Sequence, residues 1–168
     1  SVGPLYESAG GRWVLAHVAG ECPDDLDERW DTGEDSAYLR PTPTLQVSHP
    51  RIRALADSVA GGHEDPCTVV NILSSFVYSR IEKRATPTYS SALETLRAGF
   101  GDCGEHAVLL AALLRARGIP SRVVLGLVYM PGRKAYMGHA WVGIDAGGEW
   151  LFADPARGVY PACAGLVP

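Results

Sequence analysis

Three residues carry side chains that can act together on a carbonyl group: Cys103, His139 and Asp154. A thiol attacks only as its thiolate. A cysteine at a helix start faces free backbone N–H groups and the positive end of the dipole, so it ionises more easily than a free cysteine. An imidazole within reach can take the proton, and a carboxylate on the imidazole's other nitrogen fixes its tautomer and orientation. Each residue alone has an ordinary reading. A cysteine is often a small buried apolar side chain, a strand histidine is often structural, and an aspartate before proline, as in Asp154-Pro155, often forms a turn. The same three types also suit zinc. The choice depends on whether the chain's elements bring them together.

The cysteine lies in Gly101-Asp102-Cys103-Gly104-Glu105-His106-Ala107-Val108-Leu109-Leu110. A Gly-Asp turn leads into a helix that is apolar on every face from Ala107 to Leu114, so burial is expected. Arg115 and Arg117 in the last turn, Gly118 at C′ and Pro120 beyond it end the helix. Asp102 and Glu105 have the spacing of a capping box. After Gly118 the apolar period changes from that of a helix to that of a strand. Ser121–Met130 reads as a strand covered on both faces, Pro131-Gly132-Arg133-Lys134 as a turn and Gly138–Asp145 as a second strand. Ala146-Gly147-Gly148 reads as a tight turn and Glu149–Ala153 as a third strand. Paired as an antiparallel meander, these strands set His139 beside Asp154. A buried helix packed on that sheet then presents Cys103 to His139.

Helical signals fill the chain upstream. Ser48 or His49 can cap a helix with Pro50 at its first position, running to Gly61-Gly62 with Ile52, Leu55, Ala56 and Val59 on one face. Asp65 and Pro66 start a second helix, with Val69, Val70, Leu73, Phe76 and Val77 as its stripe and an end near Lys83-Arg84. Ser90 or Ser91 caps a short third, Ala92–Arg97. Residues 1–20 read as one or two short strands, 21–37 as an acidic, solvated connection, and Tyr38–Pro43 as extended chain ahead of its prolines. Helices first and strands after give an α+β domain.

Composition narrows the function classes. The chain has 168 residues, enough for one domain, with 46% apolar and 20% charged residues, an ordinary globular balance. A formal charge of −4 without any Lys/Arg run disfavours a nucleic-acid surface. No apolar stretch approaches the roughly 18–20 residues that span a bilayer. The chain opens on Ser1, so a fragment or processed form is expected, with any targeting signal out of view. Cys22, Cys67, Cys103 and Cys163 include no CxxC pair, so structural zinc is not expected, and one disulfide is possible if Cys103 is a working thiol.

The segments Gly-Asp-Cys-Gly-Glu-His-Ala at 101–107, Arg-Ala-Arg-Gly-Ile-Pro-Ser-Arg-Val-Val at 115–124, His-Ala-Trp-Val at 139–142 and Trp…Asp-Pro at 150–155 carry a resemblance. Over roughly residues 38–161 the chain resembles the transglutaminase-like superfamily, the circularly rearranged relatives of papain, and within it the bacterial branch with a Gly-Asp-Cys-x-Glu-His pattern. Ala156 fits the small residue that follows the Asp-Pro pair there. The resemblance implies a papain-like α+β fold, with N-terminal helices and a central Cys-bearing helix on an antiparallel sheet. It implies a catalytic domain over 38–168, with 1–37 as an extension of the same domain, although those first 37 residues match no known pattern. It implies Cys103 as nucleophile, His139 as base, Asp154 as orienter, no metal or cofactor, and a protein or peptide amide as substrate. Hydrolysis through an acyl-enzyme is the first expectation; transglutaminase-type transfer, protein deamidation and a non-catalytic binding domain are the alternatives. Bacterial cytoplasm and periplasm both stay open. Asp102, Glu105, His106, Tyr129 and Trp141 are further candidates for substrate contact. The ordinary readings beside them are helix cap for the two acids, local hydrogen bonding for His106 and core packing for the aromatics.

Overall fold

Each helix begins where the sequence supplies a cap. In a computed structural model that describes residues 5–9, 12–16, 37–86, 90–146, 150–162 and 166–167, helix α1 (Pro50–Ala60) starts after His49, whose ring accepts the Arg51 N–H at 3.2 Å. Helix α2 (Pro66–Arg80) starts after Asp65, whose carboxylate accepts the Thr68 N–H at 2.7 Å. Hydrogen bonds from the Thr68 side chain and then from its backbone N–H hold the Asp65 pKa below its ordinary value. Helix α3 (Ala92–Ala98) opens on a capping box between Ser91 and Glu94, and α4 (Cys103–Ala116) on one between Asp102 and Glu105. Proline at the first position of α1 and α2 loses nothing, because that N–H has no partner within the helix.

Helix α4 is the centre of the core. Leu109, Leu110, Leu113 and Leu114 are wholly buried, and Ile52, Val69, Val70, Leu73, Val77 and Ala92 of the other three helices pack into the same cluster. Burial on every side of an apolar helix is what its sequence requires. Arg115 locks its C-terminal end, with Nε and Nη2 donating to the Ser121 carbonyl at 2.9 and 2.7 Å and Nη1 donating to the Arg40 carbonyl.

Strands β1 (Leu5–Ala9) and β2 (Arg12–Ala16) pair as an antiparallel hairpin, and β3 (Glu82–Lys83) pairs in parallel with β4 (Phe100–Gly101). The main sheet has the order β7-β6-β5-β8, all antiparallel, from β5 (Ser121–Met130), β6 (Ala135–Asp145), β7 (Trp150–Ala153) and β8 (Leu166–Val167). One face, with Ala140, Val142, Ile144, Leu151 and Ala153, packs on the helical core; the other holds Trp141, Val128 and Ala162. This is the expected α+β architecture of helices on an antiparallel sheet.

Three local expectations change. Helix α2 stops at Arg80, not near Lys83-Arg84, because the Glu82 and Arg84 N–H groups bond the Gly99 and Gly101 carbonyls at 2.9 and 2.8 Å. Strand β6 begins at Ala135, three residues early, since a 3₁₀ turn at Pro131–Arg133 with left-handed Lys134 closes the hairpin tightly. On the face it shares with Ala140, strand β5 is covered only over its first half: Leu125 and Leu127 are 63% and 45% exposed, while Val128 on the other face is buried. Cys67 is disulfide-bonded while Cys103 is free, which agrees with the one disulfide the sequence allows. The acidic connection over 21–36, residues 147 and 148 of the second hairpin turn, and Cys22 and Cys163 lie outside the described residues.

Candidate active site

The start of α4 is held from several directions. The Asp102 carboxylate accepts the Gly104 N–H at 3.0 Å, and Glu105 reaches back to accept the Asp102 N–H at 3.0 Å. The other oxygen of Glu105 accepts the Ser90 N–H at 3.1 Å. Glu105 is only 2% exposed. Burial pushes its pKa up, but the hydrogen bonds from Asp102 and Ser90 outweigh that and leave it lowered. Asp102 is pushed the other way, first by burial and then by Glu105 beside it. The cap thus joins the loop before α3 to the turn that delivers Cys103.

Gly101 is required for this arrangement. A β-carbon there would lie 2.3 Å from Cβ and 2.8 Å from Cγ of Glu105, inside any real contact. Gly101→Ala should therefore destabilise the domain by about 1–3 kcal/mol, the usual range for overpacking. Urea unfolding of the two proteins measures it. A variant as stable as wild type would mean that Glu105 moves aside freely and that the cap is not rigid.

His106 follows one turn after Cys103. Its Nδ1 lies 2.6 Å from the Asp102 carbonyl and its Nε2 3.2 Å from the Ile81 carbonyl, which ties the first turn of α4 to the end of α2.

Strand register sets the other two residues. His139 stands opposite Gly126 on β5. The β6–β7 pairing stops at Val142↔Ala153, because the chain then turns: Asp154 and Val159 exchange both backbone hydrogen bonds, at 2.9 and 3.1 Å. The turn brings the Asp154 carboxylate to His139, with Nε2 and Oδ2 2.7 Å apart and both side chains buried. The contact occupies Nε2 and leaves Nδ1 for the thiol.

The thiol of Cys103 responds to His139 more than to anything else. Hydrogen bonding to the imidazole is the largest influence on it and lowers its pKa; burial opposes this, and the Ala140 N–H adds to the lowering. His139 moves in the complementary direction. Burial disfavours its charged form, but the hydrogen bonds to Asp154 and Cys103 outweigh that and raise its pKa to about 9. A half-buried thiol followed by a buried imidazole and carboxylate can hold a thiolate–imidazolium pair backed by a negative charge.

The remaining candidates fall in different places. Asp102, Glu105 and His106 surround the start of α4. Trp141 is wholly buried, its ring 6.2 Å from that of His139 and 28° from parallel, and its indole N–H has no partner among the described residues. Tyr129 sits far along β5, paired with Tyr136 on the exposed end of the hairpin, and the structure does not bring it to the Cys103–His139 pair. The sequence reading missed three groups. The Ala140 N–H becomes available only because β7 is short. Arg157 Nη1 lies 3.8 Å from Asp154 Oδ2, and the Lys83 ammonium donates to the Ala156 carbonyl at 3.3 Å. The Asp154–Val159 turn brings Arg157 to Asp154, and its only sequence signals are Pro155 and Gly158. Among the described residues no group of three or more His, Cys, Asp or Glu is set to hold a metal ion, and no helix is long and apolar enough to cross a membrane.

Residues 53–155 match a family model described as the transglutaminase-like superfamily. An uncharacterized protein of Mycobacterium leprae is 32% identical over 130 residues, covering 72% of this chain and 45% of that protein. A protein-glutamine gamma-glutamyltransferase of Pseudomonas aeruginosa is 34% identical over 131 residues, covering 67% of this chain and 19% of that protein. Among solved structures, a candidate cysteine protease from Cytophaga hutchinsonii superposes with a TM-score of 0.69 at 28% identity, over 82% of this chain and 46% of that one. The periplasmic domain of TgpA from Pseudomonas aeruginosa does so with a TM-score of 0.53 at 28% identity, over 74% of this chain and 49% of that one. The chain thus spans less than half the length of each of these relatives.

Proposed function

The chain belongs to the transglutaminase-like superfamily, and from that premise we propose that it is a thiol enzyme acting on amides, with Cys103 as nucleophile, His139 as base and acid, and Asp154 as orienter. The observation that carries this reading is the buried 2.7 Å contact between His139 and Asp154 beside a thiol whose pKa is lowered chiefly by His139. The Cys103 thiolate attacks the amide carbonyl carbon, and the electron pair of the C=O bond moves to oxygen. The Cys103 backbone N–H at the open end of α4 is placed to receive that oxyanion. As the C–N bond breaks, the imidazolium gives its proton to the leaving amine, and a thioester remains on Cys103. His139 then takes a proton from water, which attacks the thioester, releases the acid and restores the thiolate–imidazolium pair. Asp154 keeps the imidazole in one tautomer and stabilises its charged form throughout.

A second reading uses the same intermediate. The Pseudomonas aeruginosa relative is a protein-glutamine gamma-glutamyltransferase; in this second reading an amine replaces water as the acceptor, with no change in the triad's roles. Mass spectrometry tests both at once. The protein is incubated with glutamine-containing peptides and other peptide amides, with and without a small primary amine. A thioester on the Cys103 peptide and a free-acid product are expected; incorporation of the amine would assign transfer instead. A panel that leaves Cys103 unmodified, together with a Cys103 inert to a broad electrophile, would assign the domain to binding.

A further inference from the structure

A cavity of about 490 Å³ lies between the end of α2, strand β3, the first turn of α4 and the turn after β7, lined by Tyr78, Ile81, Lys83, His106, Ala156 and Arg157. We propose that it is a subsite for an anionic group, a carboxylate carried by the substrate next to the reacting amide. The inference rests on the thiol-enzyme reading and names the substrate class for that site.

Position comes first. His106 in the cavity wall is three residues beyond Cys103 on α4, so their β-carbons are only about 5–6 Å apart. The opposite wall is the turn that begins at Asp154. The cavity therefore borders the turn of α4 that carries Cys103 and the turn that carries Asp154.

Charge comes second. Among the described residues, the charged ones in the lining are Lys83 and Arg157, both exposed cations, and none is acidic. The chain as a whole carries a formal −4, so a carboxylate-free concavity with two cations departs from the general surface. Among the described residues Arg157 meets the carboxylate of Asp154, at 3.8 Å, and that Oδ2 already meets His139 at 2.7 Å. Lys83 spends one donor on the Ala156 carbonyl at 3.3 Å and has two more. That bond sets the ammonium across the mouth of the cavity, from β3 to the turn after β7. His106 does not compete for an anion, because both its ring nitrogens face carbonyl oxygens. A guanidinium fork and an ammonium over a tyrosine-walled cavity are the donors that recognise a carboxylate.

The test needs no known substrate. Iodoacetate and iodoacetamide alkylate a thiol by the same displacement of iodide, and differ in that one carries a carboxylate. The iodoacetate to iodoacetamide rate ratio at Cys103 is measured by peptide-resolved mass spectrometry for wild type, Lys83→Gln, Arg157→Gln and the double variant. Lys83→Arg serves to restore charge, and Arg53→Gln, at an exposed position of α1, as a net-charge control. Each lost cation should lower the ratio roughly two- to five-fold, as exposed ion pairs do. Lys83→Arg and Arg53→Gln should keep the wild-type ratio, and added salt should flatten the series. The ratio cancels any change in the thiol itself, for example one passed through the Arg157–Asp154 contact. A fast Cys103 whose ratio is the same in the double variant and in wild type, or falls equally in Arg53→Gln, overturns the subsite alone. A Cys103 that iodoacetamide labels no faster than an ordinary thiol overturns the catalytic reading and the subsite with it.

Discussion

Cys103→Ala should abolish turnover, by a factor on the order of 10⁴ to 10⁶, while the domain stays folded; loss of a nucleophile that acts as one unit with its base has effects of this size. The substitution removes one sulfur atom from a half-buried position. The helix start does not depend on that sulfur, because Asp102, Glu105 and Ser90 hold it through backbone N–H groups. Circular dichroism and a urea midpoint close to wild type would establish the fold, and peptide-amide turnover would then read the chemistry. Activity within ten-fold of wild type would move the nucleophile elsewhere.

Asp154→Asn is expected to have the next largest effect. The analogous substitution in a serine-enzyme triad lowers kcat by about 10⁴, through the wrong imidazole tautomer. Thiol enzymes already hold their charge as a thiolate–imidazolium pair, so a somewhat smaller loss is expected here. The pH dependence separates this role from a structural one. The Asp154 hydrogen bond is the largest influence raising the His139 pKa, which stands at about 9. Turnover of the wild type should therefore fall as pH rises through about 9, where the imidazolium loses its proton. Without the carboxylate that limb should move down towards the ordinary histidine value of 6.5. Stability follows the same sign. Because the folded value lies above the unfolded one, the imidazolium contributes stability that is complete below pH 6.5 and lost as pH rises through about 9. Asp154→Asn should thus destabilise more at pH 6 than at pH 10. Asparagine keeps the backbone pairing with Val159, so the fold should survive. A variant that unfolds at every pH would make Asp154 chiefly a turn former.

The helices were legible because their signals are local. Caps at His49, Asp65, Ser91 and Asp102, and the glycines that follow α1, α3 and α4, need no knowledge of the rest of the chain. The same holds for the meander that sets His139 opposite Gly126 and beside Asp154. What stayed hidden was non-local. The parallel pairing of Glu82–Lys83 with Phe100–Gly101 ends α2 early, and it joins segments 18 residues apart, with no pattern in either. The Ala140 N–H reaches Cys103 only where β7 runs out. Lys83 and Arg157 look like scattered surface charges until the cavity brings them together. Tyr129 shows the converse. An aromatic on an apolar strand reads as core or cleft, yet the hairpin carries it out into solvent.

The central claim is that Cys103 and His139 form a thiolate–imidazolium pair, and the rate of alkylation by iodoacetamide as a function of pH tests it most directly. Peptide-resolved labelling follows Cys103 beside the other cysteines, without reduction, so that disulfide-bonded Cys67 stays closed. In the wild type Cys103 should react at a lower pH than a free thiol, whose value is about 8.5. In His139→Ala, which removes the largest influence lowering the thiol, the midpoint should return towards that value. A Cys103 that labels no faster than an ordinary free thiol, or a midpoint indifferent to His139→Ala, would contradict the pair and the thiol-enzyme reading built on it.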